Sequence, residues 1–157
     1  MLQKIYRRIM GQDLLLGHGD WHGNDTTWRM CLDLNQIVLF ADQDGHLHDT
    51  PQRKYFSVVD GVIAGEADGP LSPTPKEAGY VACGIGGPFA ADYVSMHQMG
   101  FDPEKLKVNR EAQKYPLFAF QPNDLQVVCV QDGDFVDYRD VNMHFHPQRN
   151  WVGHIER

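Results

Sequence analysis

The sequence is poor in cysteine, in positive charge and in long apolar runs. Its three cysteines, Cys31, Cys83 and Cys129, are far apart and lie in apolar stretches, and no C-x-x-C occurs in 157 residues. A disulfide-stapled miniprotein is excluded, and the pattern reads as buried thiols in a reducing cytoplasm. Lys and Arg total 14 against 21 Asp and Glu, a formal charge of −7 with eight His counted neutral. That balance argues against nucleic acid or an anionic membrane as the main partner, because both reward a basic face. No stretch approaches the roughly 18 apolar residues of a membrane span, and the N-terminal apolar stretch is too interrupted for a secretory signal. P-loop, G-x-G-x-x-G, G-x-S-x-G and helix-borne H-E-x-x-H motifs are all missing, so common nucleotide and hydrolase mechanisms have no motif support. The expected protein is soluble and cytoplasmic, and its partner is a small molecule, an anionic ligand, another protein or a second copy of itself.

What is present is material for a core. Hydrophobic residues make up 42%, with eight Phe, six Tyr and three Trp, too many for a disordered tail. A chain of this length buries roughly 68–70% of its unfolded surface, enough for one domain over residues 1–157 without metal or disulfide staples. No repeat, linker or low-complexity tract interrupts it.

The order of elements predicts an α/β fold, a mixed sheet flanked by helices in one layer-packed domain. Leu2 to Met10 has helical spacing up to Gly11. Gly17 to Asp25, GHGDWHGND, is a loop on composition, and Asn24 or Asp25 caps a long apolar helix from DTTWRMC to Asp42, expected to lie against the sheet. Tyr55 to Ile63 reads as a buried strand, and Ala64 to Glu77, with three prolines and two glycines, as a long ordered loop. Gly79 to Ile85, Gly86-Gly87-Pro88 and the helix to Gly100 form a strand–turn–helix unit. A short helix starts at Asp102-Pro103-Glu104. Leu125 to Val130 is a strand turned by Asp132-Gly133 into Phe135 to Val141.

The polar loops concentrate the candidate chemistry. Asp20 and His22 are the imidazole and carboxylate types that divalent transition metals prefer, on a backbone that glycines let fold sharply. Simple hydrogen bonding, with Asn24 and Asp25 as caps, is the alternative. Asp60, inside an apolar strand, is costly unless paired, hydrogen-bonded or bound to a cation. Glu66 and Asp68 follow at the same strand end, where α/β folds commonly bind ligands. Lys76 and Arg29 can orient an anion, although Arg29 can equally pair with Asp60 or Asp33. Asp92 sits near a helix N-terminus, which favours negative charge. His46-Leu47-His48 and His144-Phe145-His146 offer two imidazoles each at strand spacing, without a third ligand. The resulting candidate set is Asp60, His22 and Asp20 as catalytic groups, with Asn24, Asp25, Arg29, Glu66, Asp68, Lys76 and Asp92 binding the ligand. An acid or a histidine of that set would act as general base.

Two resemblances bear on this set. Asp20-Trp21-His22-Gly23-Asn24 resembles the D-x-H-G-N element of calcineurin-like metallophosphoesterases, and Gly133-Asp134-Phe135-Val136-Asp137 resembles their G-D-x-x-D element, which implies a divalent-metal phosphoesterase. The two elements stand more than a hundred residues apart here, and no G-N-H-D/E element accompanies them. The second resemblance covers more of the chain, roughly Gly17 to Ala112. Trp21 to Met30, Asp33-Leu34-Asn35, Tyr55 to Glu66, Gly69-Pro70-Leu71, Pro73 to Lys76, Ala91-Asp92 and Met99 to Asp102 are similar to the family called domain of unknown function 362. The resemblance implies no general activity. Some members carry ferredoxin-type clusters and others sit near polysaccharide genes, so a docking module for a redox or polysaccharide-assembly partner is one function it allows. Without clustered cysteines, no iron–sulfur cluster of its own is expected. The match begins partway through the family's longer domain, so an N-terminal part completing the site would be missing. The leading expectation is a small-molecule or anionic-ligand site built on the Gly-rich loops, with an enzymatic role left open and a divalent metal as the candidate cofactor.

Overall fold

A computed structural model of the chain describes residues 21–69, 72–85, 87–118 and 120–157. In chain order these form α1 (Thr27–Phe40), β1 (Phe56–Asp68), β2 (Ser72–Ile85), α2 (Pro88–Met99), a 3-10 turn (Pro103–Lys105), α3 (Lys107–Ala112), two more 3-10 turns (Pro116–Phe118 and Pro122–Asp124), β3 (Cys129–Gln131) and β4 (Asp134–Val136). The architecture is α/β. Its strands pair antiparallel as two hairpins, β1–β2 and β3–β4. The expected Leu2 to Met10 helix, residues 17–20 and Gly86 lie outside the described residues. Of the expected Leu125 to Val130 strand only Cys129 and Val130 are strand, and of Phe135 to Val141 only Phe135 and Val136, while the turn at Asp132-Gly133 is where the sequence predicts it.

Helix α1 buries Leu32, Leu39 and Phe40, while Met30, Leu34, Ile37 and Val38 on its other side are exposed. Leu32 packs with Phe89 of α2, Ala112 of α3 and Phe120, so this helix joins a helical core instead of lying on the sheet as expected. At its C-terminal end, Arg53 donates to the carbonyls of Val38 (2.7 Å) and Ala41 (2.6 Å). A cation there satisfies orphan acceptors and complements the helix dipole.

The expected long loop from Ala64 to Glu77 is corrected to strand. β1 pairs with β2 from Phe56↔Ile85 to Asp68↔Ser72, with one irregularity between Gly61 and Ile63. Pro73 and Pro75 share one strand parity, so the N–H groups they lack fall on one side, which an edge strand tolerates. Every strand of a two-stranded sheet is an edge, and that is why a proline-rich sequence pairs here. The reading of a strand buried on both faces is corrected as well. Helix α2 covers one face, where Tyr80 Oη meets Ser95 Oγ at 3.1 Å, while Phe56, Val58, Val62, Val81 and Ile85 stand exposed on the other. Cys83 shares that outer face opposite Val58 and is exposed, against the expectation of a buried thiol.

Helix α2 starts with Pro at its first turn and stops at Gly100, whose φ of 97° is left-handed. A Cβ on Gly100 would stand 2.6 Å from Asn142 Oδ1, so backbone conformation and close approach both require glycine. Gly84 lies equally close to the helix, its added Cβ meeting Ala91 Cβ at 3.0 Å. Beyond α2, residues 142–157 run irregularly across the helix end. Met143 and Phe145 donate to Gln98 O (2.7 Å) and Met99 O (2.8 Å), and Arg157 N donates to Gly100 O (3.1 Å). Phe101, Phe145 and Ile155 form a second core there, with Ala64, Met99 and Trp151 against it.

Candidate functional site

The C-terminal segment clasps the far end of the hairpin. Ala67 N donates to His146 O at 2.9 Å, and His146 N returns a bond to Glu66 Oε2 at 3.0 Å. Lys76, diagonal to Glu66 across the hairpin, donates to the same Oε2 (3.2 Å) and to His144 O (3.0 Å), with its Nζ 5.1 Å from the centre of the Phe145 ring. Ala67 (φ 63°) and His144 (φ 52°) are both left-handed without being glycine. Strained non-glycine backbone of this kind costs roughly 1–3 kcal/mol per residue and clusters where function over-determines the geometry. Asn142 Oδ1 supports the His144 turn by accepting its N–H at 2.8 Å.

Between hairpin end, helix end and clasp lies a groove of about 280 Å³. Met99, Phe101, Trp151 and Ile155 supply its apolar surface, Glu66, His146 and Gln148 its polar groups, and Gly65, Ala67 and Gly69 a low backbone wall. The His146 amide, with Lys76 beside it, holds the Glu66 carboxyl below its usual range although burial pushes the other way. Glu66 therefore stays ionised at neutral pH, its side chain only 11% exposed. His22, which does not line the groove, packs edge-on to the lining residue Trp151 (centroids 5.3 Å apart) and stacks on His154 (4.1 Å). Desolvation, then His154 and Lys107, lower its pKa.

The other candidate residues form two groups and a remainder. Glu66 lines the groove and takes a bond from Lys76, which does not line it, while Asp68, between the lining residues Ala67 and Gly69, is bound to Arg149 (Oδ2 to NH2, 2.7 Å). Asp25, Arg29 and Asn24 form a second unit at the start of α1. Asp25 takes Arg29 (2.6 Å), Lys107 (3.0 Å) and Trp28 Nε1 (3.0 Å), so Arg29 pairs one turn back, not with Asp60 or Asp33. Those donors, Arg29 foremost, hold the Asp25 carboxyl far below its usual range. Asn24 Oδ1 accepts Thr26 N at 3.0 Å, a local turn ahead of the helix. Asp60 and Asp92 stand apart from both groups. Asp60 is corrected from buried to exposed: its Oδ1 accepts Val62 N at 3.2 Å on the outer hairpin face, and it does not line the groove. Asp92 is exposed on α2, and Asp20 lies outside the described residues.

Among the described residues, no group of three His, Cys, Asp or Glu side chains is arranged to hold a metal ion. His48 and His46 both turn to Asp42 Oδ2, at 2.8 and 3.7 Å. Sequence reasoning missed Phe101, Gln148 and Trp151, read Met99 only as a helix residue, and named His146 only as half of an imidazole pair with His144. The tail after Asn142 has no periodicity that would reveal them, though its spacing of Phe145, Trp151 and Ile155 among histidines was a usable signal. No helix among the described residues is long and apolar enough to cross a membrane. No family model, curated protein or solved structure matches the chain.

Proposed function

We propose that the protein binds a small molecule in the groove between the hairpin end and the C-terminal clasp. The observation that carries this reading is the placement of Glu66: a nearly buried, ionised carboxylate beside apolar side chains, in a concavity walled by low backbone and framed by two strained residues. Pockets that pair an apolar lining with a few fixed polar groups are the usual form of ligand sites. His22, edge-on to Trp151, brings the segment ahead of α1 next to the same groove. Kinship with the domain-of-unknown-function family and a cytoplasmic home, suited to three free thiols of which Cys83 is exposed, belong to the same proposal. The test is a fragment screen by protein NMR on wild type and Trp151→Ala. Hits that shift Gly65, Gly69 and Trp151 signals in the wild type and fail in a folded variant support the groove. Hits scattered over the surface, or unaffected by the variant, refute it.

A docking module is the second reading, favoured by the outer hairpin face. Phe56, Val58, Val62, Ile63, Val81 and Ile85 are all more than half exposed there, around the carboxylate of Asp60. The partner it fits is a protein with an apolar strand face and a Lys or Arg opposite Asp60, since an acidic chain repels its own copy. A photo-crosslinker at Val58 should then trap a protein whose yield collapses with Asp60→Lys. Trapping insensitive to that reversal, or trapping only a second copy, refutes this reading.

A further inference from the structure

The charge of the groove sets the class of its ligand. Glu66 is the lining group of fixed charge, and no Lys or Arg lines the groove among the described residues. Lys76 is outside the lining, its ammonium engaged by Oε2 and by His144 O. Arg149, the nearest guanidinium along the clasp, is bound to Asp68 in a two-point pair, Nε to Oδ1 at 3.1 Å and NH2 to Oδ2 at 2.7 Å. Both donors to Glu66 converge on Oε2, and Oε1 accepts no hydrogen bond among the described residues. A carboxylate oxygen at 11% side-chain exposure with spare acceptor capacity selects a donor, best of all a charged one. Trp151 and Phe101 add aromatic surface, and a ring face attracts a cation.

From this, and resting on the groove being a ligand site at all, the geometry points to a small organic cation as its ligand: a primary or secondary ammonium carrying one apolar ring or short chain. The ammonium donates to Glu66 Oε1 and the apolar body lies among Met99, Phe101, Trp151 and Ile155. A volume of about 280 Å³ stands at the lower limit of drug-sized pockets, so a single ring with a short tether fills it. The anionic ligand that the sequence also allowed finds in this lining a carboxylate and no fixed positive charge.

Three probes of one shape and different charge test the assignment: phenethylamine, 2-phenylethanol and 3-phenylpropionate, titrated into the labelled full chain at neutral pH. The reporters are the Gly65 and Gly69 amides and the Trp151 indole N–H, the last identified with Trp151→Phe. The amine is expected to shift these signals with about tenfold tighter affinity than the alcohol, as a charge-assisted bond in a half-open site provides. In Glu66→Gln that preference disappears and the amine binds like the alcohol. Should the alcohol or the acid bind as well as the amine to wild type, the cation assignment fails while the groove stands. Should none of the three shift the reporters, the ligand site itself falls. Because the charge series is read on wild type, the result does not depend on Glu66→Gln folding.

Discussion

Replacing Gly100 by Ala should loosen the clasp from a distance, and the cost follows from two separate causes. The residue holds φ at 97°, where an L side chain costs about 1–2 kcal/mol. Its new Cβ would also stand 2.6 Å from Asn142 Oδ1, too close to persist, so Asn142 must move and surrender the bond it accepts from His144 N. A hydrogen bond of that kind is worth about 0.5–1.5 kcal/mol, which brings the total to about 1.5–3.5 kcal/mol. At roughly 2–4 °C per kcal/mol for a chain of this size, Tm should fall by about 3–14 °C. Calorimetry and urea unfolding measure the loss, and a double-mutant cycle with Asn142→Ala separates its parts. In the Asn142→Ala background the same glycine substitution should cost only the backbone part, leaving a coupling of about 0.5–1.5 kcal/mol. A change within about 0.5 kcal/mol of wild type, or strict additivity of the two substitutions, would refute this account of the helix end.

Three further outcomes follow from the geometry. Glu66 has a folded pKa below its unfolded value, so its contribution to stability is complete above the unfolded pKa of about 4.3 and is lost as pH falls through the folded one. Unfolding measured from pH 3 to 7 should therefore show a shallower acid limb in Glu66→Gln, and an unchanged limb would count against the His146 and Lys76 bonds. His97, lowered by burial and then by Arg157 and Arg139, should titrate below 6.5 by NMR. Its neutral form favours folding above about 6.5, a contribution lost as pH falls, and Arg157→Met should raise its pKa; no movement would contradict the contact of Arg157 NH1 with the ring (3.2 Å). Among the thiols, Cys83 should react first with an aromatic disulfide reagent while the half-buried Cys31 and Cys129 lag, and equal rates would contradict the exposed outer face.

Legibility in the sequence tracked local punctuation. Helix α2 is readable because Pro88 and Gly100 mark its ends and each does a definite steric job there. The same rule misleads between Ala64 and Glu77, where prolines and glycines signal a loop although the partner strand leaves an edge that tolerates them. Asp60 misleads for a related reason: an apolar run reads as burial on two faces, and only packing reveals that one face meets solvent. Of the candidate site, Glu66 and Asp68 are legible as acids near a strand end and Lys76 as a nearby cation, in a stretch rich in proline and glycine. Trp151 is not, and His146 shows only as one of two imidazoles, because their place depends on a nonlocal clasp whose residues carry no period.

The clasp also dictates a timetable for synthesis. The groove takes one wall from Gly65 to Gly69 and its closing residues from His146 to Ile155, so it cannot exist until the later stretch has been made. Ile155 follows Gly69 by 86 residues, which at translation rates of about 5–20 residues per second is a wait of roughly 4–17 s. The hairpin, whose contacts are local, can pair and receive α2 during that interval. Met99 and Phe101 meanwhile lack the cover that the clasp provides. A nascent chain is thus in danger from its sticky helix end before it is able to bind anything.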